Sequence, residues 1–122
     1  MELYTVALSQ WRKAKERQIE LFDITVKSGK EKLFAPDDQV LWAYKRGEVT
    51  DEQYTKLYFQ RLKKNIAAHP DVFESFLQLE GPLAVACYCR AGKFCHRHLF
   101  VEFMVEVADD NGYELKVRGE IL

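Results

Sequence analysis

The sequence has little that would mark a repetitive, membrane-spanning or strongly charged protein. Its 122 residues include only 3 prolines and 6 glycines, and we find no internal repeat, low-complexity tract or glycine- and serine-rich linker. The longest apolar run, residues 83–89, is far shorter than the ~20 residues of a membrane helix. Lys+Arg number 18 and Asp+Glu 19, and this balance argues against a protein whose main task is to coat nucleic acid. We therefore expect one domain over residues 1–122 and no membrane partner.

Cysteine is also scarce, and the three cysteines fall within one short window: Cys87, Cys89 and Cys95. A disulfide-stabilised scaffold would distribute its cysteines along the chain, so we expect these thiols to be reduced. The first residues contain no basic leader followed by a long apolar core, which predicts no signal peptide. We therefore expect a cytoplasmic protein, in which clustered thiols beside histidines indicate packing, metal binding or reactivity.

Strand-like and helix-like segments alternate along the chain. We expect strands over residues 3–8, 19–25, 83–89 and 113–121, and helices over 10–17, 37–47, 50–66, 70–80 and 95–108. Thr50 and Gln53 have the spacing of a capping box, and the helix that follows places Tyr54, Leu57, Tyr58, Leu62 and Ile66 on one face. This order predicts an α/β fold with a small, open, mostly parallel sheet of about four strands covered by helices, in a Rossmann-like or flavodoxin-like three-layer arrangement.

The segment after the apolar strand carries most of the chemistry. Ligands of open α/β sheets lie beyond the carboxyl ends of the strands, and this loop contains Arg90, Gly92 and Lys93, with Arg97 close behind. The unpaired N–H groups at the start of the next helix and these positive charges favour a phosphate or carboxylate, and Gly92 permits close backbone approach. The segment therefore predicts a pocket for an anion or a nucleotide-like ligand.

The same positive electrostatics favour a thiolate at Cys95 or Cys89, which makes either residue a candidate nucleophile. His96 or His98 is the candidate general base or acid, and because they point about 200° apart on a helix, at most one serves the site. Cys87 lies in the apolar strand and is interpreted as a core residue. For Cys89 and Cys95, packing and metal binding are the alternative interpretations.

Residues after the first two strands are expected to join this loop, because the carboxyl ends of parallel strands meet at one edge of the sheet. Ser9 and Arg12 follow the first strand, and Asp23, Lys27 and Ser28 follow the second. The carboxylate of Asp23 would orient a histidine or bind a ribose hydroxyl, or would only cap its loop.

Zinc is the less favoured interpretation of Cys89, Cys95 and His96, because the spacing lacks two short-spaced pairs that would converge on a tetrahedral ion. In an extended strand the side chains of Cys87 and Cys89 start roughly 6.5–7 Å apart, which is not an obvious chelate. We therefore expect no cofactor. A Walker loop, a dinucleotide fingerprint, a serine elbow and the phosphatase spacing of cysteine and arginine are all missing from the sequence.

Three functions of different classes remain open. The first is a Cys/His-dependent hydrolase or transferase that acts on a small phosphorylated, nucleotide-like ligand. The second is a non-enzymatic binder, for example a phage protein that sequesters a nucleotide or a host partner. The third is a structural zinc module. Nucleic acid is a possible but less favoured partner, and the oligomeric state is left open.

The sequence is also similar to a known family. The stretch from Cys87-Tyr88-Cys89 to Cys95-His96-Arg97-His98, followed by a long apolar helix, resembles the family of the domain of unknown function 488, which comprises small bacterial and phage proteins. The resemblance includes Tyr4-Thr5, the strand end at Asp23 and the middle helices as far as Glu80.

This resemblance implies a compact α/β fold with Cys95, His96 and Arg97 at a pocket, and it supplies no activity. The second strand of the family often carries an Asp-x-Arg pattern, where this sequence has Asp23-Ile24-Thr25. The loop over residues 25–29 is most similar to that of phage-borne members.

Overall fold

A computed structural model describes residues 1–90 and 93–122 of the chain. Gly92, which the sequence predicts to contact a ligand, lies outside the described residues. The described elements follow in the order β1 (Glu2–Ala7), α1 (Trp11–Glu16), β2 (Glu20–Asp23), α2 (Asp38–Lys45), α3 (Asp51–Ala68), α4 (Pro70–Leu77), β3 (Pro82–Cys87), α5 (His96–Asp110) and β4 (Lys116–Ile121). Two short 3₁₀ helices span Leu8–Gln10 and Lys32–Phe34.

The described strands form one parallel sheet of four strands in the order β2-β3-β1-β4. This confirms the predicted α/β class with an open, parallel sheet. The central pair β1 and β3 is in register from Glu2 beside Pro82 to Ala7 beside Cys87. Strand β3 ends at Cys87 rather than at the predicted Cys89, because the chain turns away from the sheet there.

Helices cover both faces of the sheet. Alternating side chains of β3 divide between two cores: Leu83 and Val85 pack with α3, α4 and α5, and Ala84 and Ala86 pack with α1. The larger core is rich in aromatic rings, and the smaller one is built around Ala14. No helix of the described part combines the length and the apolar character needed to cross a membrane.

The longest helix, α3, begins as predicted. The hydroxyl of Thr50 accepts a hydrogen bond from the backbone of Gln53, and the side chain of Gln53 accepts one from the backbone of Thr50. Tyr54, Tyr58 and Leu62 form the buried stripe. The prediction that Leu57 belongs to this stripe was wrong: its side chain is 40% exposed, because three residues after Tyr54 it lies on the flank away from Tyr58 and Leu62.

The connections of the two central strands leave the sheet in opposite directions. Strand β1 continues through α1 on one face to β2, and β3 continues through α5 on the other face to β4. Between adjacent parallel strands with diverging connections, the carboxyl edge opens into a crevice, which is where open α/β sheets bind ligands. The loop after Cys87 and the loop after Ala7 border this position.

Candidate functional site

Three sulfur atoms converge where β3 ends and α5 begins. The Sγ atoms of Cys87, Cys89 and Cys95 all lie within 4.8 Å of one another. Cys87 is the last residue of β3 and Cys95 is the N-cap residue of α5, so the chain returns over the strand end. Cys87 and Cys95 are buried, whereas Cys89 is partly exposed. We call these three residues the cysteine cluster.

The expectation of three separate, reduced thiols differs from the structure, which joins Cys87 to Cys95 as a disulfide with the Cα atoms 7.7 Å apart. The interpretation of Cys87 as a core residue agrees with its exposure of 1%. Its position at the strand end also places it beneath the start of α5. The sequence could not reveal this contact, because the path of the loop decides whether Cys95 returns to the strand.

His96 is a buried, neutral imidazole. Its Nε2 atom lies 2.9 Å from the carbonyl oxygen of Ile24 and must donate to it, so Nδ1 is left as an acceptor, 3.7 Å from the Sγ atom of Cys95. Burial lowers the pKa of His96 to about 4, assisted by the charge of Arg97 and opposed by the hydrogen bond to Ile24. Burial is the main cause, because it disfavours the charged imidazolium.

The side chain of Arg97 has no exposed surface. It donates as many hydrogen bonds as its guanidinium group has N–H groups, so none of them is left for a ligand. Nη1 donates to the Sγ atom of Cys87 at 3.0 Å and to the carbonyl of Cys89 at 2.9 Å. Nη2 donates to the carbonyl of Arg90 at 3.2 Å, and both Nη2 and Nε donate to the carboxylate of Glu120. Arg97 therefore holds the loop after β3 in place instead of presenting its charge to solvent.

Glu120, which lies in β4, forms an ion pair with Arg97. Burial raises the pKa of Glu120, but hydrogen bonds from Arg97 and Thr5 and the positive charge of Arg97 outweigh it, and the pKa is lowered overall. The Nε2 atom of His98 lies 3.7 Å from Glu120 Oε2, and burial is the main cause that lowers the pKa of His98. The two histidines thus face different partners, as their spacing predicts.

A second network of polar side chains lies in the loop after β2. Oδ1 of Asp23 accepts from the backbone of Thr25 at 2.8 Å, and Oδ2 accepts from the hydroxyl of Ser28 at 2.6 Å. The Ser28 hydroxyl also lies 2.8 Å from the hydroxyl of Tyr88, the residue before Cys89. The structure therefore links Asp23 and Ser28 to the loop after β3. Sequence reasoning gave Tyr88 no role, since only the side-by-side arrangement of β2 and β3 creates this contact.

The crevice beyond the ends of β1 and β4, bordered also by the loop after β3, has a volume of about 390 Å³, within the usual range for small-molecule pockets. Its lining comprises Ala7, Ser9, Gln10, Lys13, Arg90 and Leu122. Ser9 and Arg90, which come from different strand ends, are thus brought together as the sequence suggested. Lys13 lines the crevice in place of Arg12, whose guanidinium lies over the ring of Trp11. Lys27 and Lys93 are exposed residues outside this lining.

A larger groove of about 580 Å³ lies between α5 and β4. Its charged lining is mainly acidic, with Glu102, Glu106 and Glu120 beside His98. An anion is disfavoured there, because the carboxylates of Glu102 and Glu106 would repel it. The smaller crevice, lined by Lys13 and Arg90, is therefore the better candidate for a phosphorylated ligand.

Comparison with protein families matches residues 6–108 to DUF488-N3a, described as the active DUF488-N3 subclade. The matched range contains the cysteine cluster, His96 and Arg97. No curated protein and no solved structure matches the chain. The match covers most of the 122 residues, and the chain therefore belongs to the DUF488 family, within its DUF488-N3a subclade.

Proposed function

We propose that the protein is an enzyme that hydrolyses or transfers a group of a small phosphorylated, nucleotide-like ligand, with the reduced cysteine cluster as its reacting centre. The observation that carries this proposal is the position of two consecutive residues: Cys89 belongs to the cluster and Arg90 lines the crevice. The loop after β3 therefore carries both a partly exposed sulfur and a cation that faces the crevice.

The charge of the crevice supports a phosphorylated ligand. Lys13 approaches from α1 and Arg90 from the loop after β3, so two cations face the same space. Ser9 and Gln10 add polar side chains that can donate hydrogen bonds to phosphate oxygens. Arg97 is assigned a positioning role, because its N–H groups already bind protein acceptors.

The surroundings of the sulfur atoms support a chemical role for the cluster. In the reduced protein, Nδ1 of His96 is placed to accept the S–H hydrogen of Cys95. The subclade to which the chain belongs is described as active, which favours catalysis over binding alone. Clusters of ionisable side chains at a strand end beside a pocket are typical of catalytic sites.

A second candidate function is a binder that holds the same ligand without converting it. It is favoured by the burial of Cys87, Cys95 and His96, which are 1%, 3% and 5% exposed. In a binder, these buried side chains would shape the loop that carries Arg90. Both candidates require the crevice, and they differ in whether the ligand is changed.

The test is to incubate the reduced protein with nucleoside phosphates and sugar phosphates and to analyse the products by chromatography and mass spectrometry. We expect turnover of at least one compound. Arg90→Ala and Lys13→Ala should each raise KM about tenfold or more, since each removes a charge-assisted hydrogen bond. Cys89→Ser should abolish turnover while ligand binding persists.

Arg12→Ala is the matched control, because this cation lies on the same helix as Lys13 but outside the crevice lining. Its KM should equal that of the wild type. Tight binding of an unchanged ligand, lost in Arg90→Ala, would support the binder. Failure of the whole panel to bind or react would refute both candidates.

A further inference from the structure

We infer that the cysteine cluster binds one Zn²⁺ ion through the sulfur atoms of Cys87, Cys89 and Cys95. Zinc forms bonds of about 2.3 Å to thiolate sulfur in a tetrahedral arrangement, which places bound sulfurs about 3.8 Å apart. The three Sγ atoms already lie within 4.8 Å of one another. Only small movements of the side chains are needed to surround an ion.

The backbone spacing favours a metal ion between Cys87 and Cys95 over a direct bond. Their Cα atoms are 7.7 Å apart, whereas most disulfides have Cα separations of roughly 4.4–6.8 Å. A zinc ion lengthens the link, because each sulfur then binds the ion instead of the other sulfur. The third sulfur, from Cys89, converts the pair into the soft donor set that zinc accepts readily.

The groups around the cluster are suited to hold thiolates in metal-binding positions. Arg97 donates a hydrogen bond to the Sγ atom of Cys87 and another to the carbonyl of Cys89, so one guanidinium orients the segment that carries two of the sulfurs. Hydrogen bonds of this kind to ligating side chains strengthen metal sites. The cation also offsets the negative charge of buried thiolates.

The fourth coordination position is left to a water molecule or a ligand, because the mutually close donors of the described residues are the three sulfurs alone. Three protein ligands and an open position are the arrangement of catalytic zinc sites. If the proposed function holds, this open position is available to the ligand. The zinc assignment itself does not depend on turnover.

The test uses the full chain, purified under reducing conditions without chelator and without a metal-affinity tag. Elemental analysis should find about one zinc per chain. Replacement by Co²⁺ should produce sulfur-to-cobalt charge-transfer absorption. Cys89→Ser should lose most of the zinc and this absorption, and circular dichroism should show that it still folds, because Cys89 is partly exposed. His98→Gln is the control, because His98 faces Glu120, and it should keep the zinc.

Counting the reactive thiols distinguishes the zinc form of the protein from the disulfide form. The zinc form contains three thiols that react with a thiol reagent only after a chelator removes the metal. The disulfide form contains one thiol and is lighter by two hydrogen atoms. Substoichiometric zinc with this lower mass overturns the inference, and so does full zinc retention in Cys89→Ser.

The two proposals fail in distinguishable ways. Stoichiometric zinc with no turnover of any phosphorylated compound leaves the zinc site standing and refutes the enzyme. Turnover by protein that is isolated without zinc under these chelator-free conditions refutes the zinc site and leaves the enzyme standing.

Discussion

The carboxylate of Glu120 accepts two hydrogen bonds from the fully buried guanidinium of Arg97, with an Nη2–Oε2 distance of 2.7 Å and an Nε–Oε1 distance of 3.1 Å. Glu120 belongs to the edge strand β4 and Arg97 to the first turn of α5. Because the same guanidinium binds the carbonyls of Cys89 and Arg90, one side chain couples the edge of the sheet to the loop that carries the candidate site.

The first prediction is that Arg97→Lys and Glu120→Gln each lower the free energy of unfolding by about 3 kcal/mol. Glu120→Gln leaves the buried charge of Arg97 without its partner, and Arg97→Lys removes the guanidinium N–H groups that bind Glu120 and the loop carbonyls. The double variant should lose less than the sum of the two, with a coupling of about 1–3 kcal/mol. Urea denaturation measures the free energy of unfolding of the wild type, the two single variants and the double variant.

The exposed ion pair of Arg118 and Glu2 is the control for that cycle, since its Nη2–Oε1 distance is also 2.7 Å. Arg118→Lys should change the stability by less than about 1 kcal/mol. Strict additivity of Arg97→Lys and Glu120→Gln would show that the buried pair does not act as a unit.

The second prediction concerns pH. The pKa of Glu120 is lowered in the folded protein, so the unfolded chain binds the proton more readily and acid favours unfolding. The stabilisation by the Arg97–Glu120 pair is complete above the ordinary carboxyl pKa of about 4.5 and is lost as the pH falls through the lower folded value. The stability gap between wild type and Glu120→Gln should be widest near neutral pH and should narrow below about pH 4. A gap that is constant with pH in urea denaturation would contradict this.

The third prediction is that Gly29→Ala destabilises the loop that presents Asp23 and Ser28. A Cβ atom at Gly29 would overlap the carbonyl oxygen of Thr25 and lie 3.2 Å from that of Asp23, and both are backbone atoms. We expect a loss of about 2–3 kcal/mol, typical of overpacking. Gly47→Ala is the control, because open space surrounds that position and only its φ of +79° is unfavourable, at about 1 kcal/mol. Equal losses in the two variants, measured by thermal unfolding, would rule out the overlap.

The fourth prediction is that Tyr58→Phe costs about 1–2 kcal/mol, because it leaves the buried carbonyl of Phe34 without the hydroxyl that donates to it at 2.6 Å. The ring of Tyr58 also packs edge-on against His96, with the ring centres 5.7 Å apart. Tyr113→Phe removes an exposed hydroxyl bound to Glu74 at 2.8 Å and should cost less than about 0.5 kcal/mol. Chemical denaturation compares the two variants, and a Tyr113→Phe loss as large as that of Tyr58→Phe would contradict the argument.

Local sequence signals are sufficient to predict most of the fold. The capping box at Thr50, the proline that opens α4 and the apolar run of β3 each act within a few residues, so a sequence pattern can report them. Leu57 shows where such reasoning fails, since a residue on the flank of a stripe is buried only if a neighbouring element covers it.

The candidate site was only partly predictable. The loop after β3 was recognised from its glycine, cations and cysteines. The interpretation of Arg97 as a ligand contact did not foresee that its charge is buried against Glu120, a residue 23 positions away. Lys13 and Tyr88 were not selected either, because an isolated sequence does not show which side of a six-residue helix faces a crevice or which loops touch.

The amino-acid sequence by itself determined a parallel α/β protein with three cysteines and two histidines around one strand-to-helix loop, because the periodicity, capping and turn signals behind these features are local. The tertiary structure decided that the sulfur atoms of Cys87, Cys89 and Cys95 lie close together. It also decided that Arg90 and Ser9 line one crevice and that Arg97 is paired with Glu120. These contacts depend on the strand order β2-β3-β1-β4 and on the return of α5 over the sheet. Such contacts are set by the packing of the whole chain, which buries apolar surface that no single segment can cover alone.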